Sequence, residues 1–223
     1  MNEMWNEDID VKLQVKGLRI GGGMPKYNID LPTLSIDYAS SSIKGVLRKA
    51  ARKVVNSIGG LGLDGVESEV FGNQNKEGKI QVSVRENIVE VNSTKFLVTE
   101  DKSGSHILKC LVCGEEIKYS EAKQHLKVCK RRIRSGIKID SKFGSVKSGH
   151  LFSYDYIPVK TLKFSIKPIL PLSDKEALLI YYSLNFLRYE SLGGFGSRGF
   201  GLIEDVCVSD KFREYVVKRR DVS

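Results

Sequence analysis

Apolar residues recur along this chain at two different periods, and the order of the periods leaves few folds open. Val11, Leu13 and Val15 alternate with Lys12, Gln14 and Lys16, the period of two of a half-buried strand. Ile43, Val46, Leu47, Ala50, Ala51, Val54, Val55 and Ile58 then recur at spacings of three and four. They form one stripe of an amphipathic helix that Ser41 or Ser42 can cap and Gly59–Gly60 can stop. Residues 79–84, 137–140 and 161–167 alternate again as strands. Ser173, with Glu176 three positions later, makes a capping box at the head of a second helix. Its buried face is assigned to Leu178, Leu179, Tyr182, Phe186 and Leu187, and its end falls near Ser191. Phe200 to Val208 reads as a last strand. This order matches a βαββαβ unit with material inserted in its middle, an α+β fold.

At 223 residues the chain is long enough for one domain with a sizeable core, 1–223. Within it we expect an inserted module over about 101–135 and a polar, glycine-containing finger or hairpin over about 141–160, beginning near Lys142. The four cysteines locate the module. Cys110-x2-Cys113, eleven residues, then His125-x3-Cys129 is the spacing of a tetrahedral zinc site. A cysteine pair on a knuckle meets a His and a Cys one helical turn apart, on a tail expected to be helical from Ser120 to about Arg132. Four protein ligands leave no open position for water, so the zinc is structural. A polar stretch leads into this cluster. Cys207, in the last strand, is expected to be buried and inert.

Five glycines fall among the nine residues from Gly193 to Gly201, and Gly194 to Gly199 satisfies G-x-G-x-x-G. A dinucleotide site needs a strand before that motif and a helix after it. Here the helix comes first, and the cofactor reading fails on order. What remains is a run of closely spaced backbone N–H groups with Arg198 among them, an arrangement suited to phosphates of a nucleic acid. The formal charge of +9, from 36 Lys and Arg against 27 Asp and Glu, favours a polyanionic partner. No segment approaches the ~20 apolar residues of a membrane span, and the acidic start lacks the features of a secretory signal. No membrane partner and a cytoplasmic location are expected. Three histidines, one of them assigned to zinc, and no nucleophile–histidine signature argue against histidine-based catalysis.

Several segments together carry a resemblance. Ser41-Ser42-Ile43-Lys44-Gly45-Val46-Leu47-Arg48, Phe71-Gly72-Asn73 and the run from Leu192 to Gly201 resemble signature segments of the RAMP superfamily of CRISPR proteins. Gly17-Leu18-Arg19-Ile20-Gly21-Gly22 and Ile29-Asp30-Leu31-Pro32 are most similar to the repeated backbone subunit of Csm-type, type III complexes. The chain departs from the family pattern at Ala39-Ser40, where Pro-Gly is usual, and at Asn28, where glycine is common.

The resemblance implies a ferredoxin-like, RRM-related core that polymerises along a CRISPR RNA and projects a finger into the guide–target duplex. Its partners would be CRISPR RNA, target RNA and other subunits, including further copies or paralogues of itself. It implies guide contacts by Ser41, Lys44, Arg48 and Arg52, and by Gly193, Gly194, Gly196, Ser197 and Arg198. Asp30 falls at the position of the aspartate that, in catalytic members, cuts target RNA as a metal-dependent endoribonuclease with Mg2+ or Mn2+. Asp37 is the rival carboxylate, adequately explained by the nearby helix N-terminus. Two alternatives stay open: a non-cleaving paralogue that only scaffolds RNA, and an unrelated zinc-containing nucleic-acid regulator.

Overall fold

The computed structural model describes residues 4–21, 24–25, 29–57, 62–63, 65–101, 103–130, 132–139 and 145–220. Gly22, Asn28, Gly59, Gly60 and Lys142 lie outside the described residues. Strand β1 (Ile9–Lys16) buries Ile9, Val11, Leu13 and Val15 on one face, as its alternation requires. Helix α1 (Ala39–Ser57) follows, then the short α2 (Val66–Phe71) and β2 (Ile80–Val84). Next come β3 (Ile88–Val91), β4 (Thr94–Glu100), β5 (His106–Cys110), β6 (Glu116–Ile117) and α3 (Ala122–Val128). A long hairpin of β7 (Ile133–Ile139) and β8 (Val146–Asp155) leads to β9 (Thr161–Pro168). Helix α4 (Asp174–Phe186), β10 (Leu202–Val208) and α5 (Asp210–Arg220) complete the chain.

The central sheet is antiparallel, in the order β10-β1-β9-β2. With α1 connecting β1 to β2 and α4 connecting β9 to β10, this is the ferredoxin-like arrangement. The two helices pack against each other on one face of the sheet. Leu47, Ala50 and Ala51 of α1 are buried with Leu179, Ile180 and Leu184 of α4. A fully buried leucine contributes roughly 2 kcal/mol here, and the alanines let the helices approach closely. The other face of the sheet stays open and carries Lys12, Gln14, Lys163 and Gln81 without an aromatic ring.

Several details differ from the sequence reading. Helix α1 begins at Ala39, because a 3-10 turn over Ile36–Tyr38 runs straight into it. Ser41 therefore lies inside the helix and donates its hydroxyl to the Tyr38 carbonyl (3.2 Å) rather than capping. Helix α4 starts at the expected capping box: the Ser173 hydroxyl accepts from the Glu176 N–H, and the Glu176 carboxylate accepts from the Ser173 N–H. Its buried face is turned toward Leu179, Ile180, Ser183 and Leu184, while Leu178, Tyr182 and Phe186 are half-buried. Cys207 is exposed. On β10 the inward positions are Ile203 and Val206, and Cys207 pairs with the outward Lys12. An unexpected α5 buries Phe212 and Val216 and packs Phe212 and Tyr215 edge-on against Trp5.

The stretch before the cysteine cluster is not merely polar. Strands β3 to β6 form a second antiparallel sheet. Its own small core holds Phe96, Leu108, Cys110, Cys113 and Ala122. Asn92 and Ser93 both have positive φ (46° and 62°), which joins β3 to β4 by a tight turn without glycine.

Candidate nucleic-acid interface and metal centre

The glycine-rich loop is built against the chain segment that follows β1. Gly193 has φ +81° and pairs with Arg19, and the Gly194 N–H donates to the Arg19 carbonyl (2.7 Å). A Cβ on Gly193 would collide with that carbonyl oxygen, so this glycine is required by the chain's own packing. Gly196, Ser197 and Arg198 then form a 3-10 turn flanked by Phe195 and Gly199, both left-handed. The first N–H groups of such a turn have no partner inside it, and among the described residues those of Gly196 and Ser197 make no backbone hydrogen bond. Arg198 lies over the rings of Phe195 (4.7 Å) and Phe152 (4.9 Å).

Arg19 was not among the predicted site residues, yet it organises the site. It is 5% exposed, lies 4.3 Å over the Phe195 ring, and donates Nη2 to the Leu31 carbonyl (3.1 Å). Burial lowers its pKa, opposed by the charges of Asp155 and Tyr154. The signal in the sequence was an arginine held between Leu18 and Ile20 immediately after a strand.

Through Leu31, Arg19 holds the segment that bears Asp30. Leu31 pairs in parallel with Tyr154 along the edge of β8. The Asp30 carboxylate accepts from the Ser153 N–H (2.6 Å) and hydroxyl (3.0 Å). These bonds hold an exposed carboxyl below its usual range. Asp30, Arg19, the glycine loop and Arg198 thus gather at the base of the β7–β8 hairpin. Asp37 faces elsewhere: it pairs with Lys95 of β4 and accepts from the Ser35 hydroxyl (3.0 Å). Burial alone would raise its pKa, but these two donors lower it. Asp37 thereby ties the second sheet to the segment before α1.

Ser41, Lys44 and Arg48 share one side of α1, as the spacing requires, and line an open cleft of about 510 Å³ facing Gly72 to Gly78. Arg52 continues that side. Their charges are partly engaged. Arg48 and Arg52 both pair with Glu67, and Lys44 donates to the Ile80 carbonyl (3.0 Å). Burial, then the nearby Arg48, lowers the Lys44 pKa. This cleft adjoins β2, whereas the glycine loop precedes β10, and β2 and β10 are opposite edges of the sheet. The predicted contact residues therefore form two separate patches. Lys49 and Lys53 pair with Glu190 and fix the start of the glycine loop against α1.

Cys110, Cys113, His125 and Cys129 converge as expected, with ligand atoms all within 4.8 Å of one another. Cys110 Sγ lies 3.7 Å from Cys129 Sγ, and Cys113 Sγ lies 3.3 Å from His125 Nε2. A tetrahedral ion with bonds of ~2.0–2.3 Å sets its ligand atoms about 3.3–3.8 Å apart, so the geometry and the sulfur-rich donor set fit zinc. Glu115 faces His125 Nδ1 at 3.2 Å, which directs Nε2 toward the thiols. Burial pushes the Cys129 thiol up to about 12, and Cys110 and Cys113 add to the effect. A bound dication stabilises the thiolates instead.

A family model described as the RAMP superfamily matches residues 17–204. Among solved structures, a type III-B Cmr-beta complex bound to cognate target RNA contains a chain 15% identical to this one, with a TM-score of 0.60. The match covers 92% of this chain and 98% of that one. A chain of the apo Cmr-beta complex is 16% identical, with a TM-score of 0.57 and the same coverage. At these identities the likeness is one of fold. A comparison with curated proteins finds no match.

Proposed function

Because the chain belongs to the RAMP superfamily, we propose that it is an RNA-binding backbone subunit of a type III CRISPR interference complex, and that Asp30 cuts the target RNA. One observation carries the reading: an exposed carboxylate, held by two donors of Ser153, stands at the base of a hairpin on a segment that Arg19 ties down, and Arg19 and Arg198 both lie over Phe195 of the glycine loop. The Cmr-beta neighbour was solved with target RNA bound, which supports a similar partner here. On this reading the chain binds CRISPR RNA and target RNA within an assembly of further copies or paralogues. Gly193, Gly194, Gly196, Ser197 and Arg198 serve as one contact patch, and Ser41, Lys44, Arg48 and Arg52 as the other. Zinc at the four-ligand cluster stabilises the fold and takes no part in cutting.

The depressed pKa of Asp30 makes it a weak general base. Its role is to hold an Mg2+ or Mn2+ ion or to orient the ribose. A hard cation suits an exposed carboxylate oxygen and would supply charge stabilisation at the scissile phosphate. In the cut itself the 2′-oxygen bonds to the adjacent phosphorus, the 5′-oxygen leaves, and the 2′-hydroxyl proton passes to solvent as the leaving oxygen gains one.

The non-cleaving scaffold has its own support, since the two Ser153 donors already give Asp30 a tethering role. The assembled complex with Asp30→Ala separates the readings. It should bind target RNA as wild type does and lose cutting by about 100-fold or more. In wild type, chelation should stop cutting and Mg2+ should restore it. Undiminished cutting by Asp30→Ala would mean that the chain is a non-cleaving paralogue or cuts through another residue, and Asp37→Ala measured beside it would decide between the two.

A further inference from the structure

Three cations and two aromatic rings surround a cavity of which the predicted contact set includes only Arg198. It measures about 330 Å³ and opens between the end of β1, the hairpin base and the glycine loop. Lys16, Arg134, Tyr156, Arg198, Gly199 and Phe200 line it, with no carboxylate in its wall. Elsewhere Arg48, Arg52, Arg85, Arg188 and Arg213 each face an acidic side chain. Among the described residues, Arg134 and Arg198 have no ion-pair partner. They lie on rings instead. Arg134 is 5.4 Å from the Tyr156 centroid and 5.5 Å from that of Phe200, and Arg198 covers Phe152 and Phe195.

A guanidinium laid on a ring uses its face and keeps its edge N–H fork free for a phosphate. Space is available: Gly199 has φ +82°, and no atom lies within 4 Å of where its Cβ would be. The volume falls near the lower end of ligand sites, about 300–1,000 Å³. The open sheet face of this RRM-related core has no ring on which a base could stack. The rings are here.

The geometry points to a pocket for one nucleotide of single-stranded RNA, its phosphate on Arg134 and Arg198 and its base against Tyr156. This deepens the RNA-binding reading above and rests on it. A duplex hides the faces of its bases, and an acidic peptide would use the cations but not the ring.

The test is binding of a fluorescent oligouridylate to the purified, zinc-loaded full chain across a salt series. Arg134→Ala, at an exposed position, should weaken binding and lower the steepness of log affinity against log salt by about 0.7. Tyr156→Leu should weaken binding by about tenfold with the slope unchanged, and Tyr156→Phe should bind as wild type. Binding of an RNA duplex should not respond to Tyr156→Leu. If the wild type binds the oligouridylate and neither Arg134→Ala nor Tyr156→Leu weakens it, the pocket is wrong and the RNA-binding reading stands. Full displacement by polyglutamate, with Tyr156→Leu silent, would make the pocket an acidic-peptide site. No binding by the wild type would overturn both.

Discussion

A methyl group on Gly193 would strike the Arg19 carbonyl oxygen, whereas one on Gly199 would meet open space at the same kind of positive φ. The two glycines of one loop are therefore needed for different reasons. Gly193→Ala should cost about 3 kcal/mol or more, because pairing with Arg19 must break. Gly199→Ala should cost about 1–2 kcal/mol of backbone strain alone. Urea midpoints of the two variants would show the difference. At Asp30 the fold stabilises the ionised carboxylate. Its contribution is present above the ordinary Asp pKa of about 3.9 and is lost as the pH falls through the lower folded value. Ser153→Ala should move the Asp30 titration upward, part of the way back, since the Ser153 N–H remains. An NMR titration of the Asp30 carboxyl that did not move would contradict this. Neither the partnership of Asp30 with Ser153, 123 positions away, nor the burial of Arg19 is written in neighbouring residues, and reading the sequence locally could not supply them.

Among the elements, those with a single buried face were legible. Strand β1 and helix α1 each cover one side of the core, so their periods stand out. Helix α4 lies between α1, the sheet and α5, and its apolar residues spread around the axis, which left its buried face ambiguous. Strand β3 was hidden by its four residues, β4 by the adjacent buried Phe96 and Leu97 that break its alternation, and the turn between them by Asn92–Ser93 in place of glycine. The metal cluster was legible because its ligands sit close together, on a knuckle after β5 and on α3. Freshly purified protein should contain about one zinc per chain. Cys110→Ser or Cys129→Ser should lose it, and amide exchange should quicken in β3 to β6 and α3 while the central sheet stays protected. Metal analysis without zinc, or uniform exchange throughout the chain, would refute the module as drawn.

Over the whole molecule, the alternation of strand and helix was enough to give the βαββαβ order that the central sheet shows, but net charge could not say where the charge is free. Glu67 and Glu190 engage four basic side chains of α1, while Arg134 and Arg198, at the other patch, lie on rings and have no ion-pair partner among the described residues. The order of strands also bears on how the chain folds. Neighbours β2 and β9 are joined by Arg85 Nε to Ser165 Oγ (2.8 Å), a contact that spans 80 positions. Bringing such distant ends together costs entropy that grows by about 0.6 kcal/mol with each doubling of free length. The β3–β6 sheet and the β7–β8 hairpin each close on themselves, and once formed they leave only short tethers between β2 and β9. The inserted region is thus a splint: once folded it shortens the free chain between the two strands and so lowers the entropy cost of pairing them.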